Sequence, residues 1–148
     1  MEEITLRSAT DDDLNFLYAL HRAALREYVE KTWGWDEVFQ KAHFEKQFSS
    51  ETQQIIVAGN TNIGSVSVAD RINHTLLARI EILPEYQNRG IGTFLIKNIV
   101  RQAESENKPV FLQVIKVNRR AKVLYERLGF SVCGETETHF QMEYNQKQ

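Results

Sequence analysis

Pro84-Glu85-Tyr86-Gln87-Asn88-Arg89-Gly90-Ile91-Gly92-Thr93 is the stretch on which the fold turns. It follows an apolar run from Leu76 to Leu83 and opens a run of helical periodicity from Thr93 to Glu106. A glycine-punctuated passage from strand to helix leaves several backbone N–H groups without intrahelical partners, with the helix dipole behind them. That arrangement is a natural cradle for phosphate oxygens. Gly90 and Gly92 let the backbone come close to a ligand because no Cβ stands in the way. A dinucleotide fingerprint would add a third glycine and an acidic residue about 20 positions on. A P-loop would end in Gly-Lys-Ser/Thr, which Gly92-Thr93-Phe94 does not supply. On these residues alone, a phosphate-binding turn and a plain turn with a glycine helix start both stay open.

The flanking chain alternates between strand and helix signals. Upstream, Ile4-Thr5-Leu6-Arg7 alternates as a short half-buried strand. Thr10 and Asp13 form a capping-box-like start, and Leu14, Leu17, Tyr18, Ala24, Leu25 and Tyr28 recur at helical spacing up to about Lys31. Trp33-Gly34-Trp35 breaks this helix from a second, Asp36 to Phe48, with Val38, Phe39, Ala42 and Phe44 as its apolar stripe. Gln54 to Ala58 and Ile63 to Ala69 flank Gly59-Asn60-Thr61-Asn62 as a hairpin, and Arg71 to His74 turns into the Leu76 strand. Downstream, Val110 to Ile115 reads as a buried strand. Asn118 caps a helix from Arg119 to Leu128, and Gly129 ends it. Ser131 to Gly134 and Thr138 to Tyr144 are two last strands, and Asn145 to Gln148 is a frayed polar tail. The order β-α-α-β-β-β-α-β-α-β-β predicts an α/β layered domain with a mixed sheet.

At 148 residues, 42% hydrophobic and 26% charged, the chain is expected to form a single soluble domain, residues 1–148. Its net charge of −2 supplies no global attraction to nucleic acid or to an anionic membrane. The single cysteine, Cys133, excludes an intrachain disulfide and a multi-cysteine metal site, and is expected in the core. His21, His43 and His74 are scattered without metal-ligand spacing, so no metal is expected. The acidic Met1-Glu2-Glu3 start lacks an apolar signal core, and no apolar run nears the roughly 18 residues of a membrane span. A cytoplasmic protein is the expectation.

Two motifs carry a family resemblance. Gln87-Asn88-Arg89-Gly90-Ile91-Gly92 fits Q/R-x-x-G-x-G/A, and Asn118-Arg119-Arg120-Ala121-Lys122-Val123-Leu124-Tyr125-Glu126-Arg127-Leu128-Gly129-Phe130 fits N-x-x-A-x-x-L-Y-E-x-x-G-F. Together, in this order, they resemble the GNAT acetyltransferase superfamily along essentially the whole chain. The resemblance implies a GNAT-like mixed, largely antiparallel sheet flanked by helices. It also implies transfer of an acetyl group from acetyl-CoA to an amine, of a small molecule or a peptide, by direct attack in a ternary complex.

By that resemblance, the backbone of Ile80, Glu81 and Ile82 pairs with the pantetheine arm, and Gln87, Asn88, Arg89, Gly90, Ile91, Gly92 and Thr93 hold the pyrophosphate. Asn118 matches a cofactor-contacting asparagine, and Tyr125 matches the tyrosine that protonates the departing thiolate. In ribosomal-protein alanine acetyltransferases the position five before that asparagine is a glutamate base; here it is Gln113. Glu81 is the candidate base instead, with a water relay or a plain polar strand residue paired with Arg79 as alternatives. Tyr28, Trp33, Trp35, His139 and Tyr144 are candidate lining residues of the acceptor groove, and Asp36, Glu37 and Glu45 hint at a cationic acceptor. Last-strand dimers are frequent in the family, which admits a homodimer. A non-catalytic acyl-CoA-binding module of the same fold is the competing reading.

Overall fold

The computed structural model describes residues 2–50 and 52–145; residues 146–148 of the expected tail lie outside them. The elements are β1 (Ile4–Ser8), α1 (Leu14–Trp33), α2 (Glu37–Ser50), β2 (Gln54–Ala58), β3 (Thr61–Asp70), β4 (Thr75–Ile82), α3 (Ile91–Ser105), β5 (Val110–Ile115), α4 (Arg119–Arg127), β6 (Ser131–Glu135) and β7 (His139–Tyr144). This is the element order read from the sequence. The strands are ordered β1-β2-β3-β4-β5-β7-β6. β4 and β5 run parallel, whereas β1–β2, β2–β3, β5–β7 and β6–β7 are antiparallel.

Two compact units divide the chain. The first comprises Met1–Ser67 and Arg79–Arg89, the second Val68–Ala78 and Gly90–Gln148. In the first, Leu17 and Leu20 of α1, Phe44 of α2 and Ile55 of β2 form a buried cluster, with Leu14, Phe16, Tyr18, Phe48 and Leu83 packed against it. In the second, α3 buries Leu95, Ile96, Val100 and Ala103 on one face, as helical spacing requires. Val110, Leu112 and Val114 of β5 and Met142 of β7 are buried likewise.

α1 is entered through a short 3-10 turn, Asp11–Asp13. The Asp13 carboxylate accepts from the Thr10 backbone N–H at 2.8 Å and from both terminal nitrogens of Arg7 at 2.8 and 3.0 Å. The Arg7 hydrogen bonds hold its carboxyl down at about 2, against the opposing effect of burial. A carboxyl lowered on folding stabilises above its unfolded value and loses that contribution as pH falls from about 4 to about 2. Asp13→Ala is expected to cost about 1–2 kcal/mol at pH 7, the upper part discounted because Arg7 is itself 43% exposed. Urea unfolding of both proteins from pH 7 to pH 2 checks this. A gap that fails to narrow below pH 4 would refute the assignment.

Three expectations need correction. Cys133 is exposed, not in the core. Register passes from Val132↔Met142 to Gly134↔Gln141, so Cys133 is the extra residue of a bulge on the edge strand β6. The apolar stripe of α2 is not buried as a stripe: Val38 and Phe39 are 82% and 61% exposed, while Phe44 is 1% exposed. Phe39 instead stacks on His43, with ring centroids 5.7 Å apart. Finally, β1 is an edge strand whose Thr5 to Ser8 are exposed, so its alternation marks no buried face.

Candidate functional site

In the first unit, β4 puts Arg79 and Glu81 on one face, because alternate strand residues point the same way. α1 and α2 supply the partners. Glu81 is 5% exposed, with its Oε2 2.9 Å from His21 Nδ1 and its Oε1 3.5 Å from Arg79 Nη1. Arg79 Nη1 also lies 3.2 Å from His21 Nδ1, and Arg79 Nη2 donates to Gln47 Oε1 at 3.0 Å. The Phe44 ring closes the cluster, 5.1 Å from the His21 ring and 5.7 Å from the Arg79 guanidinium carbon. A carboxylate this far from water needs such partners, since an unpaired buried charge costs several kcal/mol. Sequence reasoning anticipated the Arg79–Glu81 pair but treated His21 as one of several scattered histidines. The signal was present: His21 falls four residues after Leu17 on the buried face of α1.

β4 leads into the glycine turn. The parallel ladder with β5 joins Thr75 to Val110 and Leu76 to Phe111, and Ile80, Glu81 and Ile82 lie beyond it along the strand. The Ile82 carbonyl accepts from Gln87 Nε2 at 2.9 Å, which ties the start of the turn to the strand end. Arg89 is exposed, with its guanidinium carbon 5.0 Å from the centre of the Tyr86 ring. Asn88 and Gly90 both take positive φ, 64° and 81°. The first bond of α3 runs from Phe94 N–H to the Gly90 carbonyl at 3.0 Å, so the N–H groups of Ile91, Gly92 and Thr93 precede the helical ladder. A Cβ at Gly90 would meet nothing within 4 Å; the glycine is there for its φ.

In the second unit, Asn118 caps α4, its Oδ1 accepting from the Ala121 N–H at 3.1 Å. Two turns on, Tyr125 is half-buried with its ring 5.9 Å from that of Phe130, and Phe130 lies 5.7 Å from Tyr144. Burial pushes the Tyr125 phenol up to about 12. Gly129 leaves the helix at φ 102°, and a Cβ there would strike the Tyr144 ring. His139 is half-buried at the start of β7, its Nδ1 2.8 Å from Thr138 Oγ1, and burial lowers its pKa. Gln113 is exposed on β5, opposite Gln141.

The other lining candidates fall at the α1–α2 junction of the first unit. Trp33 is 58% exposed, and Tyr28 and Trp35 are half-buried. The acidic residues there have structural partners. Glu37 accepts from Trp35 Nε1 at 2.6 Å and from the Tyr18 hydroxyl at 2.9 Å, and Asp36 Oδ1 accepts from the Phe39 N–H at 3.1 Å. Among the described residues, no group of three or more His, Cys, Asp or Glu is placed to hold a metal, and no helix is long and apolar enough to cross a membrane.

A family model described as Acetyltransferase (GNAT) family matches residues 14–130. The chain belongs to the GNAT acetyltransferase family. It is similar to the uncharacterized N-acetyltransferase YobR of Bacillus subtilis, 26% identical over 147 residues, covering 88% of this chain and 56% of YobR. It is also similar to the [ribosomal protein bS18]-alanine N-acetyltransferase of Haemophilus influenzae, 26% identical over 76 residues, covering 51% of this chain and 52% of that protein. The chain thus spans about half the length of the curated relatives it matches. Among solved structures, the PaiA N-acetyltransferase of Thermoplasma acidophilum in complex with coenzyme A shares the fold, with a TM-score of 0.79 and 19% identity. That match covers 97% of this chain and 99% of the other.

Proposed function

We propose that residues 1–148 act as one N-acetyltransferase domain that moves an acetyl group from acetyl-CoA to a primary amine of a small molecule or peptide. The observation that carries this is the turn at Gly90. Left-handed backbone there turns the N–H groups of Ile91, Gly92 and Thr93 out ahead of the helical ladder, in a chain of GNAT membership. Such a cradle fits a pyrophosphate without any metal. Gln87 to Thr93 hold it, with Arg89 adding charge, and the backbone of Ile80, Glu81 and Ile82 pairs with the pantetheine amides. Asn118 contributes to the same cofactor.

In the reaction, the amine nitrogen forms a bond to the thioester carbonyl carbon in a ternary complex, and the C–S bond breaks. The second proton shed by that nitrogen passes to the sulfur, so that CoA leaves as its thiol. Tyr125 donates a hydrogen bond to the sulfur as negative charge builds on it. Glu81 is the carboxylate on which removal of the ammonium proton depends. Tyr28, Trp33, Trp35 and His139 line the acceptor side. A relative named for acetylating an alanine of a ribosomal protein supports a peptide amine, although Gln113 replaces the glutamate of that subgroup.

Thiol release from acetyl-CoA, measured over a panel of an alkylamine, an arylamine and peptides with free N-termini, tests the proposal. CoA binding is followed in parallel by calorimetry. Turnover of at least one amine is expected. CoA binding with no turnover would replace it with the non-catalytic acyl-CoA-binding module, which Gln113 favours; absence of CoA binding would sink both.

A further inference from the structure

His21 has no place in the chemistry described so far, yet it is 9% exposed and its imidazole contacts the one buried carboxylate of β4. We propose that His21 takes the proton from the acceptor ammonium, with Glu81 as the positioning residue that holds the imidazole and opposes the charge formed on it. The proposal rests on the acetyltransferase reading above and gives its base an identity.

Three features of the cluster support it. Both oxygens of Glu81 are engaged, Oε2 by His21 at 2.9 Å and Oε1 by Arg79 at 3.5 Å, so the carboxylate has no oxygen to offer an amine without releasing a partner. The side chain of Glu81 keeps 3% exposure and that of His21 keeps 11%, so of the two the imidazole has the residual access. His21 Nδ1 also lies between an acceptor and a donor: Glu81 at 2.9 Å and Arg79 Nη1 at 3.2 Å. One nitrogen cannot serve both. The carboxylate can only accept, whereas Arg79 has Glu81 Oε1 and Gln47 Oε1 as other acceptors. The proton therefore belongs on Nδ1, which leaves the lone pair on Nε2.

This is the arrangement by which a buried carboxylate fixes a histidine base in other active sites. The ammonium N–H bond breaks with its electron pair left on the amine, and a new N–H bond forms at His21 Nε2. The imidazolium then stands against Glu81 until it returns the proton to solvent. Arg79 stays beside the other oxygen of Glu81 throughout, at 3.5 Å. The groups facing the imidazole are Arg79 and Glu81 from β4 and the neutral Phe44 ring from α2, with the neutral Gln47 side chain of α2 on Arg79.

The test separates a base from a structural donor. His21→Gln keeps an N–H to offer Glu81 but has no basic nitrogen. With the best amine of the panel, His21→Gln is expected to lower kcat at least 30-fold and to abolish the acidic limb of kcat/KM. KM for acetyl-CoA should stay within about twofold, and the thermal midpoint within a few degrees. Activity within threefold of the parent, with the limb retained, would overturn the proposal. Long-range proton–nitrogen NMR of the parent, independent of turnover, should find neutral His21 protonated at Nδ1; an Nε2–H tautomer would also overturn it. If the parent turns over no amine at all, this proposal and the acetyltransferase reading fall together. Turnover by the parent, with His21→Gln within threefold of it and the acidic limb retained, removes this proposal alone.

Discussion

Tyr125→Phe is expected to lower kcat about 100-fold while leaving KM for acetyl-CoA and CoA affinity nearly unchanged, the signature of an interaction made only in the transition state. Burial has pushed the phenol up to about 12, whereas an ordinary thiol ionises near 8.5. A tyrosine this weakly acidic does not hand its proton over completely to a CoA thiolate. It stabilises the sulfur as a hydrogen-bond donor while the C–S bond lengthens. The same shift gives a sign for the pH profile. The phenol stays protonated until pH approaches 12, so no alkaline fall in kcat below about pH 11 should trace to Tyr125. Steady-state kinetics of both proteins from pH 6 to pH 10 check this. A Phe variant within threefold of the parent would remove Tyr125 from the chemistry.

The second large effect is expected in the backbone. Gly64 lies in β3 opposite Ile56, and a Cβ there would overlap the Glu81 carbonyl oxygen and come within 3.2 Å of Ile82 Cα and 3.1 Å of Ile56 Cδ1. Two of those neighbours are backbone, which cannot rotate aside as a side-chain tip would. Gly64→Ala is therefore expected to cost about 2–3 kcal/mol and to lower Tm by about 10 °C. Because relief must come from the carboxyl end of β4, CoA affinity should fall at least tenfold as well. Gly90→Ala is the control for Tm without CoA, since in the free chain it meets open space and carries only the strain of a left-handed φ, about 1 kcal/mol. It is no control for CoA affinity, because Gly90 belongs to the proposed cradle. Scanning calorimetry with and without CoA measures both. Equal Tm values for Gly64→Ala and the parent would show that β3 and β4 need no close approach there.

The order of elements was legible because each long element repeats its own signal: α3 buries a stripe at helical spacing, and the ends of β5 coincide with an apolar run broken only by Gln113. The cap at Asn118 and the stop at Gly129 were legible for the same local reason. What sequence could not show was which apolar faces find a partner. Val38 and Phe39 have the spacing of a core stripe, but α2 turns Phe44 inward instead. Cys133 has a buried residue's chemistry, but a bulge on an outer strand decides its exposure. The site divides similarly. Arg79 and Glu81 are two apart on one strand, so their pairing follows from the pleat, whereas the His21–Glu81 contact joins residues 60 apart and depends on tertiary packing.

The bulge at Cys133 has a practical consequence. It interrupts the regular row of N–H and C=O groups along an outer strand, which blunts that edge as a template for another chain. It also presents the only thiol of the molecule. A maleimide fluorophore or spin label would attach at one defined place without any engineered cysteine, on a residue with no role in the proposed chemistry. Air oxidation at the same position would link two molecules covalently, so sedimentation and light-scattering measurements of subunit number need a reductant throughout.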